Sequence, residues 1–178
     1  MYGFKKLPVL SAGGRYATKN LCIMELVSLV GSDGEYVNDH PRFVDHRVSS
    51  LFRVVNDSVG DKHRVNLLGF FDRMFHCPEF DDPSDPVWIQ FESLVTVIAK
   101  DVLGRSRLLP IGVVRQDNCW WILSDICEWY DGAELKFEIL DRVLGAAETA
   151  RGLDPAEFKP IKRRKVAKLI KKNGYNLV

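Results

Sequence analysis

Leu21-Cys-Ile-Met-Glu-Leu-Val-Ser-Leu-Val30 is the stretch whose reading decides the fold class. Leu21, Ile23, Met24, Leu26, Val27, Leu29 and Val30 leave little polar circumference, and a helix that is apolar nearly all round lies inside other elements. Asn20 is the expected cap and Gly31 the expected stop, with a polar loop from Ser32 to Pro41. A buried central helix needs further helices or sheets around it, and the flanking sequence supplies helices.

Helical spacing resumes from Phe43 to Val55 through Val44, Val48, Leu51 and Phe52, and Asn56-Asp57 and Gly60 close it. Asp61 then caps an expected helix with Val65, Leu68, Phe71 and Phe75 on one face. The stretch from His76 to Pro86, rich in proline and acid, reads as a surface loop. Pro86 suits the first position of a helix to about Leu103, where Trp88, Phe91, Val95, Ile98 and Val102 recur at three- and four-residue steps. Leu108 to Tyr130 admits two readings, a hairpin or a helix capped by Asp117, and the helix is favoured. Ala133 to Thr149 forms another amphipathic segment through Leu135, Ile139 and Val143. Residues 1–19 read as an irregular arm. The expected fold is a mainly α, compact bundle of five to six helices with a basic C-terminal helix and at most one small β-hairpin. Residues 1–158 would form a single helical domain and residues 159–178 a basic tail.

The 178-residue chain has a formal net charge of only +1, but its charge is segregated. Lys159 to Val178 holds eight of the 25 Lys and Arg residues and no acid, which leaves a body near −7 joined to a +8 end. Segregation of this kind points to a partner or a self-contact. Apolar residues make up 46% and charged residues 28%, which excludes a disordered chain. No apolar run reaches the length of a bilayer span. Lys5 and Lys6 precede too short an apolar run for a secretory signal, so a cytoplasmic protein is expected, with no membrane partner. Cys22, Cys77, Cys119 and Cys127 then read as buried free thiols.

Leu7-Pro-Val-Leu-Ser11, Cys22-Ile-Met-Glu25, Asp39-His-Pro41 and Arg53-Val-Val-Asn-Asp57 together resemble a family of proteins found in actinobacteria and their phages. The resemblance covers about the first third of the chain and implies no particular activity. Relatives often carry a Cys and a His just after Asp-His-Pro, where this chain has Phe43 and Asp45. If those side chains bind a metal, this member lacks part of the set.

Within these motifs, Cys22, Glu25 and His40, with Asp45 and His46, are candidate zinc ligands by type. No paired Cys or His spacing fixes their geometry. The alternative is structural: a core thiol, a loop-ordering histidine and a buried Glu25 paired with Arg53. Glu79, Asp81, Asp82 and Asp85 lack the spacing of a calcium loop. Trp120, Trp121 and Trp129 form the densest aromatic group and a candidate partner surface. No catalytic residue and no cofactor are assigned.

The C-terminal segment carries the clearest signal. Val166, Leu169 and Ile170 share one stripe of a helix from Pro160 to Asn173-Gly174, while Lys162, Arg163, Arg164, Lys165, Lys168, Lys171 and Lys172 cover the rest. Such a helix would dock by its stripe and offer its cations to phosphates or to an acidic protein surface. The expected function is that of a small phage-type or actinobacterial accessory protein acting by binding nucleic acid or a host protein. A metal-dependent enzyme and a structural component of a virion or complex, the latter a homo-oligomer, are the alternatives.

Overall fold

A computed structural model describes residues 8–12, 19–80, 82–105 and 118–177. Residues 106–117, with the first half of the possible hairpin, Asp81 and most of the N-terminal arm lie outside the described residues; the second half of that stretch is the favoured helix, capped by Asn118, which accepts from the Trp120 N–H at 2.9 Å, and not by Asp117. Among the described residues are seven α-helices: α1 (Ile23–Gly31), α2 (His46–Ser58), α3 (Asp61–Arg64), α4 (Pro86–Arg105), α5 (Cys119–Trp129), α6 (Ala133–Ala150) and α7 (Arg163–Lys172). The fold is mainly helical, as the apolar spacing requires. It holds more helices than expected, the four-residue α3 among them. Among the described residues, pairing between extended segments is limited to isolated bridges, Pro8 with Leu177 and Leu10 with Leu21.

α1 is the centre of the bundle, and Ile23 to Val30 are all buried. Its cap is not Asn20. Leu21 is still extended, bridged to Leu10, so the chain turns only at Cys22. The Cys22 Sγ accepts from the Glu25 N–H at 3.3 Å, and Glu25 Oε2 accepts from the Cys22 N–H at 2.9 Å, a reciprocal capping box. Asn20 instead accepts from the Asn176 side chain at 2.8 Å.

α2 begins at His46 because Asp45 caps it, accepting from the Arg47 N–H at 2.9 Å and the Val48 N–H at 3.4 Å. It runs on through Asn56 and Asp57, since the Asn56 amide points inward to useful partners. Asn56 Oδ1 accepts from the Ile23 N–H at 3.3 Å, one of the donors the start of α1 leaves open, and its Nδ2 donates to the Ser11 carbonyl at 2.9 Å.

The single helix expected after Asp61 is instead α3 followed by two 3₁₀ turns, Val65–Gly69 and Arg73–His76. Leu68, Phe71, Met74 and Cys77 are all buried and three residues apart. Three residues per turn stacks such a set, where an α-helix would rotate it away. Gly69 lowers the cost of leaving the α form.

α4 packs against α5 and α6, α2 against α5, α6 and α1, and α7 against α1. One continuous apolar core joins all of these elements. Buried charges are met by partners within the fold: Arg73 holds Glu148 through two bonds of 2.8 Å, Arg64 donates to the carbonyls of Asn56 and Val59 at 2.8 Å, and Lys136 donates to the Ser58 carbonyl at 3.2 Å. No helix among the described residues is long and apolar enough to cross a membrane.

Candidate functional site

The last helix brings the sequence's strongest charge signal to one ridge. Val166, Leu169 and Ile170 are buried, and this stripe seats α7 on α1. The helix starts at Arg163, three residues later than Pro160 suggests, because the preceding residues are drawn to an anchor, with Lys162 extended at the cap position. That anchor is Asp72, which accepts from the Ile161 N–H at 3.1 Å and from Arg163 Nη1 at 2.8 Å, with a second, short bond from Nη2. The end is set by a turn in which Gly174 takes φ +77° and the Tyr175 N–H returns to the Ile170 carbonyl at 3.0 Å.

Two cations flank the buried stripe and are engaged internally. Arg163 grips Asp72 on one side. Lys165 lies 2.9 Å from Asp33 on the other, and this ammonium, helped by Lys172, holds the Asp33 carboxyl below its usual range. Asp33 sits in the left-handed region, φ +55°, at the turn that closes α1, with Gly34 at φ +89° beside it. A Cβ on Gly34 would stand 3.1 Å from both Asn173 and Leu169, so this glycine allows the end of α7 to approach.

The remaining cations point away from the body. Arg164, Lys168 and Lys171 follow one another at four- and three-residue steps, on the side of α7 opposite Val166, Leu169 and Ile170. They are exposed, as are Lys162 at the helix start and Lys172 at its end. None of these five has a carboxylate partner within ion-pair distance among the described residues. The basic ridge is therefore sorted: two cations fasten the helix and five face solvent.

The tryptophans separate in a similar way. Trp120 is buried, donates its indole N–H to Glu92 at 2.9 Å and belongs to the core. Trp121 and Trp129 are 56% and 67% exposed, eight residues apart on the outer face of α5. Sequence spacing alone did not distinguish them.

Cys22, Glu25 and His40 do not converge as ligands; among the described residues their donor atoms do not lie within 4.8 Å of one another. Cys22 and Glu25 form the cap of α1. His40 Nε2 is 2.6 Å from Arg53 Nη1, which also donates to Asp39 at 3.0 Å. Arg53, expected to pair with Glu25, thus orders the loop before α2. Burial, reinforced by the Glu25 charge, pushes the Cys22 thiol up to about 12.

A different trio, Asp45, His46 and Glu79, does gather within 4.8 Å. His46 Nδ1 is 2.7 Å from Glu79 Oε1. Asp45 is already closed by a cation, because Arg47 donates to its two oxygens at 3.1 and 2.6 Å while its guanidinium lies 3.6 Å from the centre of the Trp88 ring. Sequence reasoning missed this trio because Glu79 comes from the loop after the 3₁₀ turns. Phe43 stacks on Phe75, with ring centres 5.8 Å apart. The four cysteines are buried free thiols, and burial also raises Cys77 and Cys127 to about 12.

No protein-family model, curated protein or solved structure matches the chain.

Proposed function

We propose that this is a nucleic-acid-binding accessory protein whose contact surface is the outward face of α7. The observation that supports the reading is the sorting of its cations. Arg163 and Lys165 fix the helix to Asp72 and Asp33, while Lys162, Arg164, Lys168, Lys171 and Lys172 stay exposed. A rigidly seated ridge of cations meets phosphates with little ordering cost, and the freed counterions drive association. The helix supplies about 15 Å of contact at 1.5 Å per residue, a few phosphates in length. Such a ridge contacts backbone and carries no base-reading geometry of its own, so the expected binding is sequence-tolerant.

The test is duplex binding followed across salt concentrations. Three to four phosphate contacts give a slope of log Kobs against log salt of about −3. Arg164→Glu with Lys168→Glu and Lys171→Glu should remove retention while leaving the fold unchanged. Equal affinity of the triple variant would overturn the assignment. Binding of poly-glutamate in preference to duplex would make an acidic protein surface the partner instead.

A further inference from the structure

Trp121, Asp125 and Trp129 lie at four-residue steps on one outer face of α5 and therefore form a single stripe. The two indoles are the most exposed large aromatic rings among the described residues. Asp125 has no ion-pair partner among the described residues, and partial burial raises its carboxyl above the usual value. Glu128 and Asp131 are exposed nearby, and neither has an ion-pair partner among the described residues. This is also the C-terminal end of α5, where the helix dipole is negative. The face is aromatic and anionic together, a combination that suits a row of cations: Trp is the best ring for a cation over its face, and a carboxylate takes the one between.

The same chain carries such a row. Arg164, Lys168 and Lys172 repeat the spacing of Trp121, Asp125 and Trp129, and both stripes run eight residues, about 12 Å. The two are not meeting within one molecule, because both indoles are open and, among the described residues, Arg164, Lys168 and Lys172 have no carboxylate within ion-pair distance. We propose that the Trp121–Asp125–Trp129 face of one molecule docks the α7 ridge of a second copy. The charge complementarity of the two faces selects this occupant, with Arg164 and Lys172 over the indoles and Lys168 on Asp125. The contact is heterologous, so a pair keeps one free face of each kind and the assembly can extend or close into a ring. It goes beyond the nucleic-acid reading and does not depend on it; a ridge seated on a second copy is unavailable to phosphates, so the two associations exclude each other.

The experiment is sedimentation equilibrium of nuclease-treated protein, which reads self-association apart from nucleic-acid binding. Average mass should rise with protein concentration at about 0.05 M salt and return to that of a monomer at about 0.5 M, as screening shortens the reach of the charges. Trp121→Ala with Trp129→Ala, and separately Arg164→Glu with Lys168→Glu, should each weaken association at least tenfold. All four positions are exposed, so melting temperature checks that both variants fold. The decisive arm is mixing the two variants: each keeps the face the other lacks, so the mixture should recover one contact and stop at a heterodimer. A monomeric mass at every concentration, or assembly that survives either pair of substitutions, overturns the proposal.

Discussion

The Cys22-to-Asn56 region and α7 are the two places where polar groups are most densely patterned, and they differ in where those groups point. In the first, Cys22, Glu25, Asn56 and Arg53 are satisfied by other groups of the fold. Cys22 and Glu25 cap α1, Asn56 takes the Ile23 N–H and the Ser11 carbonyl, and Arg53 bridges Asp39 and His40. In the second, two cations are paired with acids of the body and five are not. A polar group satisfied within the fold explains the fold, whereas a charge left exposed on a seated helix is available to something else. The motif-rich third of the chain is thus architecture, and the motif-poor end is the candidate surface.

The comparison breaks most readily at Asn56. Asn56→Leu should cost about 3 kcal/mol, because it strands the Ile23 N–H and the Ser11 carbonyl. Denaturant unfolding measures it, and duplex binding of the folded fraction should not change. At the other region, Asp72→Ala should cost about 2 kcal/mol by releasing Arg163 and the Ile161 N–H, and it should loosen the start of α7, read as faster amide exchange there.

A smaller effect separates capping from metal binding. Cys22→Ser keeps an acceptor for the Glu25 N–H and should stay within about 0.5 kcal/mol of the parent, whereas Cys22→Ala should lose about 1 kcal/mol. Stoichiometric zinc that disappears in Cys22→Ser would move this region from architecture to chemistry.

Smaller again is the acid limb of the stability curve. Burial holds the His76 pKa below its ordinary value despite the neighbouring Glu148. The unfolded chain therefore takes up a proton that the folded one resists, so stability is full above about pH 6.5 and declines below it, levelling once the folded group titrates. Urea titrations at stepped pH should show that decline, and His76→Phe should flatten it while keeping a ring against Phe158, whose centre now lies 3.3 Å away.

Much of the fold was legible because it rests on local periodicity. The buried α1, the span of α4, and the Val166, Leu169 and Ile170 stripe all follow from apolar spacing. What the spacing hid was long-range. Nothing near Arg163 shows that Asp72, 91 residues earlier in the chain, will take it. Trp120 and Trp121 are adjacent in sequence, and only the direction of α5 relative to Glu92 makes one core and the other surface. The cap of α1 went unread because cysteine is an uncommon cap, and the 3₁₀ turns because Leu68, Phe71 and Met74 fit three-residue steps that also occur on an α-helix.

The central claim is that the outward cations of α7 are available to phosphates. Its most direct measurement is the salt dependence of duplex binding for the parent and for the Arg164→Glu, Lys168→Glu, Lys171→Glu variant at matched stability. A slope of about −3 that collapses toward zero in the variant is the predicted result. An unchanged slope, or no binding by the parent at low salt, would contradict it.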